Sequence, residues 1–205
     1  MNTETKMNGR SDDGKMADTG SLPHADAEEM ADMDERLTEL ARRTVETFVR
    51  EGRMLDVPVV SGDSLLGQHA ACFVSIKTRE GDLRGCIGTV EPMQATLAEE
   101  LIHNAISAAT RDPRFSPVAV SELARLRYSV DVLSPPEPAS FEELNPKTYG
   151  LIVEDARGQR RGLLLPDLEG VETAEQQLQI AARKAGIPHG ADVKLYRFRV
   201  RRYGE

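Results

Sequence analysis

The stretch Ala71–Val90, ACFVSIKTREGDLRGCIGTV, decides how this chain folds. It contains two runs rich in β-branched, aromatic and other apolar residues, and Glu80-Gly81 stands between them. Two such runs around a short turn with glycine are typical of a β-hairpin. A tight turn predicts three opposed pairs: Thr78 with Leu83, Ile76 with Gly85, and Ser75 with Cys86.

Residues that oppose each other in a hairpin share a face, so the pairing also predicts two faces. The first face holds Cys72, Val74, Ile76, Leu83 and Ile87. The second holds Phe73, Ser75, Lys77, Arg84, Cys86 and Gly88. We therefore expect Cys72 among aliphatic side chains, and Cys86 beside the cations of Arg84 and Lys77.

Three segments outside this hairpin have the apolar periodicity or the capping residues of helices. The first has an apolar stripe, the second begins with proline, and the third opens with a capping box. Their predicted bounds are Asp32 or Asp34 to Gly52, Pro92 to about Thr110, and Thr173 to Gly186.

The remaining patterns indicate strands and their connections. We expect a short helix over residues 121–126, a strand in RYSVDVL, a stiff connector in SPPEP, and a second hairpin from YGLIVED to RGLLLP. The alternating KLYRFRVRRY closes the chain as one strand. Frequent hairpins without a GxGxxG fingerprint favour an α+β fold, a mainly antiparallel sheet with flanking helices, over a doubly wound parallel sheet.

Composition limits the class of protein. The 205 residues carry a net charge of -8, which argues against a surface built for nucleic acid. Residues 1–31 are expected to form a disordered acidic tail before a domain over 32–205, with a partner-binding arm as the alternative. The absence of a long apolar run or a hydrophobic leader predicts a cytoplasmic protein without a membrane span. The two cysteines, outside any zinc-type spacing, are expected as free thiols, and no metal site is predicted.

Cys86 is the candidate catalytic residue. Cations on its face would make it the more reactive thiol. Gly85 and Gly88 have no Cβ, so a ligand could approach the backbone closely and contact both residues. The alternative is that Cys86 is a small buried residue, and that the glycines accommodate a bulge or a crossing helix.

Five polar residues complete the candidate ligand site. Arg84 could hold an anion through two hydrogen bonds, or could pair with a nearby acid. Asn104 could orient a substrate, or could bond the helix to a loop. Arg111, Asp112 and Arg114 could line a cleft with Arg84; alternatively, Arg111 complements a helix C-terminus and Asp112 braces the turn.

Several motifs in order resemble those of the AMMECR domain family. They are LRGCIGT, EP, NAISAA, DPRF, VLSPPEP, YGLIV, GLLLP and ARKAG, within about residues 32–203. The resemblance implies a two-part α+β fold and no established molecular activity. Many members have a second cysteine just before RKAG, where this chain has Ala181-Ala182. A mechanism that needs a thiol there as well as the one in LRGCIGT is therefore not expected here.

Among bacterial members the chain is most similar to those of the AmmeMemoRadiSam system, which implies two partners, a Memo-type protein and a radical S-adenosylmethionine enzyme. We therefore consider three hypotheses. The first is an enzyme or small-molecule binder with a cleft around Arg84 and Cys86. The second is a non-catalytic partner of those two proteins, and the third a nucleic-acid-associated regulator. No cofactor is indicated.

Overall fold

Two four-stranded antiparallel sheets form the framework of the structure, a computed structural model that describes residues 27–62 and 64–204. Sheet A has the strand order β2-β1-β3-β8, and sheet B the order β4-β7-β5-β6. The α+β class is confirmed, and the predicted antiparallel sheet is two sheets. Most of the predicted tail lies outside the described residues.

The elements follow the chain in this order: α1 Ala27–Glu51, β1 Cys72–Thr78, β2 Leu83–Gly88, α2 Leu97–Thr110, β3 Leu126–Leu133, β4 Glu137–Pro138, β5 Gly150–Asp155, β6 Arg161–Leu164, α3 Ala174–Lys184, β7 Val193–Phe198 and β8 Val200–Tyr203. A 3-10 turn at Leu123–Arg125 stands where a short helix was predicted.

The hairpin of β1 and β2 has the predicted register near its thiol. Ser75 opposes Cys86 and Ile76 opposes Gly85, but Leu83 opposes Lys77 rather than Thr78. The register shifts after Ile76, and a one-residue shift moves the next side chain to the other face. Leu83 is accordingly 38% exposed, and its predicted place on the apolar face is wrong.

Helices α1 and α2 cover one face of sheet A and form the main core with it. Cys72, Val74 and Ile76 of β1 are fully buried in this core. Helix α2 crosses β2 at Gly85, where a Cβ atom would lie 2.2 Å from the backbone oxygen of Ala108. The crossing helix is therefore the reason for glycine at this position.

Both of the first two helices begin at other residues than predicted. Helix α1 begins at Ala27 rather than Asp32 or Asp34, and Met30 within it packs against the core. Helix α2 begins at Leu97 rather than Pro92, because Thr96 caps it in a box with Glu99. Residues 27–31 of the predicted tail thus belong to α1.

The predicted closing strand is interrupted at Arg199. Strand β7 pairs with β4 and β5 in sheet B, and β8 pairs with β3 in sheet A. The backbone N–H of Arg199 donates to the Ser134 hydroxyl at 2.9 Å, and its carbonyl accepts from the Ser134 N–H at 3.0 Å. The chain therefore passes from one sheet to the other beside the connector that leaves β3.

The second face of sheet A packs against sheet B. Their shared cluster is formed by the buried Ala71, Leu133, Ile152 and Phe198, with neighbours such as Phe73, Leu165 and Val200. Helix α3 covers the other face of sheet B. None of the described helices is long and apolar enough to cross a membrane. The chain thus forms two helix-covered sheets, and their inner faces meet.

Candidate functional site

Three hydrogen-bonding side chains form a row across the inner face of sheet A, on the neighbouring strands β2, β1 and β3. Ser75 opposes both Cys86 and Ser129, so the three share a face. The Ser75 hydroxyl donates to the Cys86 sulfur at 3.2 Å. Ser129 is only 4% exposed, and its hydroxyl has no hydrogen-bond partner among the described residues. The row thus offers a ligand one thiol and one free hydroxyl.

The two thiols lie in opposite environments, as the hairpin predicted. Cys72 is fully buried among the core side chains, whereas Cys86 is half-buried. Burial raises the pKa of the Cys72 thiol to about 12, although a hydrogen bond from Asn104 opposes the change. Since the thiolate is the nucleophile, Cys72 is both inaccessible and protonated at neutral pH.

Asp112 fixes the backbone at Cys86. Strand β2 is an edge strand, and the Asp112 carboxylate accepts the outward N–H of Cys86 at 2.8 Å. It also accepts the guanidinium of Arg114 at 2.7 and 2.9 Å. The hydrogen bonds from Arg114, together with the one from Cys86, hold the pKa of Asp112 well below its usual range, against the effect of burial. Asp112 and Arg114 therefore cover the edge of β2 and hold the thiol in place.

Arg84 is occupied by protein partners. Its guanidinium bonds both carboxylate oxygens of Glu122, at 2.7 and 3.1 Å, and the carbonyl of Ser116 at 3.0 Å. The hydrogen bond from Arg84 lowers the pKa of Glu122. This is the ion pair that the sequence left as the alternative, and it clamps the 116–122 segment onto β2. A ligand role for Arg84 stays a prediction.

Asn104 faces the protein interior. Its amide donates to the Cys72 carbonyl at 3.0 Å, which ties α2 to β1. Its neighbour Glu100 was missed by sequence reasoning and is 1% exposed. The Glu100 carboxylate accepts the backbone N–H groups of Met93 and Gln94, at 2.7 and 2.8 Å, and so holds the loop before α2. An acid inside the apolar pattern LAEELIHNAI was the signal that could have identified it.

The other predicted site residues have structural surroundings. The space beside Gly85 is filled by α2, and a Cβ at Gly88 would lie 2.3 Å from the Phe73 ring. Arg111 ends α2, where its backbone N–H donates to the Ser107 carbonyl at 2.8 Å. Ligand contacts at these three residues stay predictions. Of the predicted set, the structure brings Cys86, Asp112 and Arg114 together.

Sequence reasoning also missed an ion pair on the same face, two residues along β3 from Ser129. Asp131 of β3 is 4% exposed and accepts Nε and Nη2 of Arg202 at 2.7 and 2.8 Å. Their pocket, of about 350 Å³, lies between sheet A and the loops of sheet B; it is lined by Asp131, Lys147, Thr148, Leu165, Pro166, Asp167, Leu168, Val200 and Arg202. The one acid within the apolar strand RYSVDVL was the available signal.

No group of three or more His, Cys, Asp or Glu side chains within residues 27–62 and 64–204 is placed to hold a metal ion.

Comparisons with known proteins identify a family and several relatives to which the chain is similar. The AMMECR1 family profile matches residues 38–203. A protein of Thermotoga maritima is 50% identical over 165 residues, 80% of this chain and 94% of that protein. A protein of Clostridium acetobutylicum is 45% identical over 81% of this chain, which spans only 35% of that longer protein. The crystal structure of an uncharacterized protein from Pyrococcus horikoshii superposes with a TM-score of 0.73 at 32% identity, covering 84% of this chain and 91% of that one.

Proposed function

This chain belongs to the AMMECR1 family, and from that premise we propose that it binds a small molecule on the inner face of sheet A, with Cys86 as the reactive group. The observation that carries the proposal is the contrast between the thiols. Cys86 is half-buried and hydrogen-bonded to Ser75 within the polar row, while Cys72 is sealed in the core. A row of one thiol and two hydroxyls on an otherwise packed sheet face supports a ligand, because a ligand can supply hydrogen-bond partners to these groups.

Each residue around the thiol has a distinct part in the proposal. Cys86 and Ser129 contact the ligand, and Ser75 orients the sulfur through its 3.2 Å hydrogen bond. Asp112 and Arg114 hold the β2 backbone, and Arg84 acts at a distance by anchoring the 116–122 segment. Pre-organised supports of this kind keep a reactive group in position without touching the ligand.

The proposal includes the setting implied by the resemblance. We propose a cytoplasmic protein that works with a Memo-type protein and a radical S-adenosylmethionine enzyme. The two free thiols support a reducing compartment. The inner face of sheet A would serve the small molecule, so the partners would contact other surfaces.

Alkylation of the native protein tests the reactive thiol. Iodoacetamide should modify Cys86 at least roughly 1,000-fold faster than Cys72, because Cys72 reacts only when the core opens, at a cost of several kcal/mol. Mass spectrometry of the peptides gives both rates, and the Cys86→Ser variant assigns them. If Cys72 reacts first, or if both thiols stay inert until the protein is denatured, the proposal is wrong.

Native purification tests the ligand. A small molecule released from the wild-type protein and absent from Cys86→Ser would support the proposal. If both proteins instead retain the same stoichiometric protein and no small molecule, the hypothesis of a non-catalytic interaction partner is favoured. Co-purified nucleic acid would favour the hypothesis of a nucleic-acid-associated regulator.

A further inference from the structure

We propose that a second site, which we call the end pocket, binds a neutral aromatic ring compound with one hydrogen-bonding group. The pocket has a volume of about 360 Å³, which is within the range of small-molecule sites. Three chain segments form it: 69–71 before β1, 90–92 after β2, and 133–136 at the end of β3. This site is separate from Cys86 and goes beyond the proposed function.

The floor of the end pocket is a row of apolar side chains on the inner face of sheet A. Val90, Ala71 and Leu133 lie four residues along their chains from the polar row of Cys86, and all three belong to the cluster between the sheets. Four residues of strand span about 13 Å, and the Phe73 side chain lies on the same face between the two rows. The end pocket is therefore distinct from the thiol site. Because neighbouring strands are about 4.8 Å apart, its floor is nearly flat and about 10 Å wide.

Hydrogen bonds fix all three segments that form the end pocket. The chain before β1 is held at Gln68, whose carbonyl accepts the first N–H of α2 at 2.7 Å. The loop after β2 is held by the Glu100 carboxylate, which accepts two backbone N–H groups at 2.7 and 2.8 Å. The connector after β3 is held at Ser134, which exchanges two hydrogen bonds with the Arg199 backbone at 2.9 and 3.0 Å. The pocket is thus preformed, and a ligand does not have to order its walls.

The polar side chains of the end pocket determine the polar part of the ligand. Glu91 forms an ion pair with Arg161, and the Ser134 hydroxyl already accepts one backbone hydrogen bond and donates another. His69 is exposed, and its side chain makes no hydrogen bond to any other described residue. A neutral imidazole offers one donor and one acceptor. Because the lining holds no unpaired carboxylate, lysine or arginine, an uncharged N–H, O–H or carbonyl group suits it best.

The apolar surfaces of the end pocket favour a ring over a flexible chain. The floor is flat, and the lining includes Pro92, Pro135 and Pro136, whose rings have almost no rotamer freedom to lose. A rigid planar ligand also binds without the loss of torsional freedom that an alkyl chain undergoes. An aromatic ring with one polar group at its edge therefore matches both the floor and the imidazole of His69.

Indole is the probe for this site, because it is a neutral ring with a single N–H group. The chain contains no tryptophan, so indole fluorescence excited at about 295 nm is measured without an indole signal from the protein. Titration of the full chain should show saturable binding and a blue shift of the emission. We expect a dissociation constant between about 0.1 and 1 mM, since a ligand of this size makes few contacts.

Two variants locate the bound ring. Ala71→Leu adds apolar volume to the floor and should weaken indole binding at least about ten-fold. His69→Ala removes the partner of the indole N–H and should weaken binding about five-fold, the effect of one hydrogen bond. Since His69 is exposed, this variant keeps the test valid if Ala71→Leu does not fold. His103→Ala is the control, because His103 is an exposed residue of α2 outside the pocket lining, and it should bind indole as the wild type does.

The outcomes separate this site from the thiol site. Protein alkylated at Cys86 should bind indole with the dissociation constant of the untreated protein, and loss of binding on alkylation would overturn the inference. It is also overturned if the wild type binds no indole up to about 5 mM, or if folded Ala71→Leu or His69→Ala binds as tightly as the wild type. A Cys86 thiol that resists iodoacetamide refutes the proposed function alone and leaves the end pocket.

Discussion

The two faces of sheet A are made by the same strands and differ in almost every other respect. On the helix-covered face, Cys72, Val74 and Ile76 are fully buried, and a backbone oxygen of α2 occupies the place of a side chain at Gly85. On the inner face, Cys86 stays half-buried and Asp131 and Arg202 line a pocket. Cys72 on the first face is a packing group, and Cys86 on the second is the thiol that we propose to be reactive.

The difference follows from the elements that pack on each face, helices on one and sheet B on the other. Helices fill the space over their face continuously, so every side chain there is constrained by volume. Sheet B covers the inner face at the cluster around Leu133 and Phe198. Farther along, the loops of sheet B do not fill the inner face, and the pocket at Asp131 and Arg202 remains open. Polar groups can lie there because solvent or a ligand supplies their hydrogen-bond partners. Three predictions test this contrast.

The largest effect is expected from Gly85→Ala. The added Cβ would lie 2.2 Å from the Ala108 oxygen, and a backbone atom cannot move aside without displacing α2. We expect a loss of about 3 kcal/mol in the free energy of unfolding, measured with urea. Gly62→Ala is the control, because among residues 27–62 and 64–204 no atom beyond its chain neighbours lies within 4 Å of its Cβ position. Equal stability of the two variants would refute the close approach of α2.

A serine at each cysteine position compares the faces directly. Cys72→Ser places a hydroxyl in the sealed core and should cost about 2 kcal/mol, even with Asn104 nearby. Cys86→Ser should change the free energy of unfolding by less than about 0.5 kcal/mol, because its site is polar and half open. Urea denaturation of both variants measures the difference. A larger loss of stability for Cys86→Ser than for Cys72→Ser would contradict the assigned difference between the two faces.

A smaller loss than that of Cys72→Ser is expected when Asp112, which caps the edge of β2, is changed. Asp112→Asn keeps an acceptor for the Cys86 N–H but loses the charge paired with Arg114, a loss of about 1 kcal/mol because Arg114 is half exposed. The pKa of Asp112 is lowered in the folded protein, so its contribution is full at neutral pH. This contribution decreases as the pH falls below about 4, the pKa of Asp112 in the unfolded chain, toward the lower pKa of Asp112 in the folded protein. The free energies of unfolding of the wild type and of Asp112→Asn are measured from pH 7 to pH 3. A difference between them that stays constant over this range would contradict the assignment.

Much of the hairpin could be predicted from the sequence, because its cause is local. The two β-rich runs and the turn at Glu80-Gly81 predicted the Ser75–Cys86 pair and opposite faces for the two thiols. The same reasoning was wrong at Leu83, since a shift of register after Ile76 leaves no trace in a periodic pattern. It was wrong at Pro92 too, because the side chain of the buried Glu100 holds that segment out of the helix.

The candidate site could be predicted only in part. Cys86 was identified because glycines flank it, and Asp112 and Arg114 because they follow a helix end. The sequence could not show that Glu122 occupies Arg84, or that Arg202 lies over Asp131, since 38 and 71 residues separate these partners along the chain.

The sequence by itself determined the hairpin, the helical stripe of α1, the capping box of α3 and the α+β class, because turn residues, caps and side-chain periodicity act between near neighbours. Only the tertiary structure decided that KLYRFRVRRY divides between two sheets at Arg199, and that a pocket lined by Asp131 and Arg202 lies between sheet A and the loops of sheet B. An alternating strand has the same pattern in either sheet. Which sheet it joins depends on distant partners such as Ser134, whose contacts with Arg199 exist only once the chain has folded.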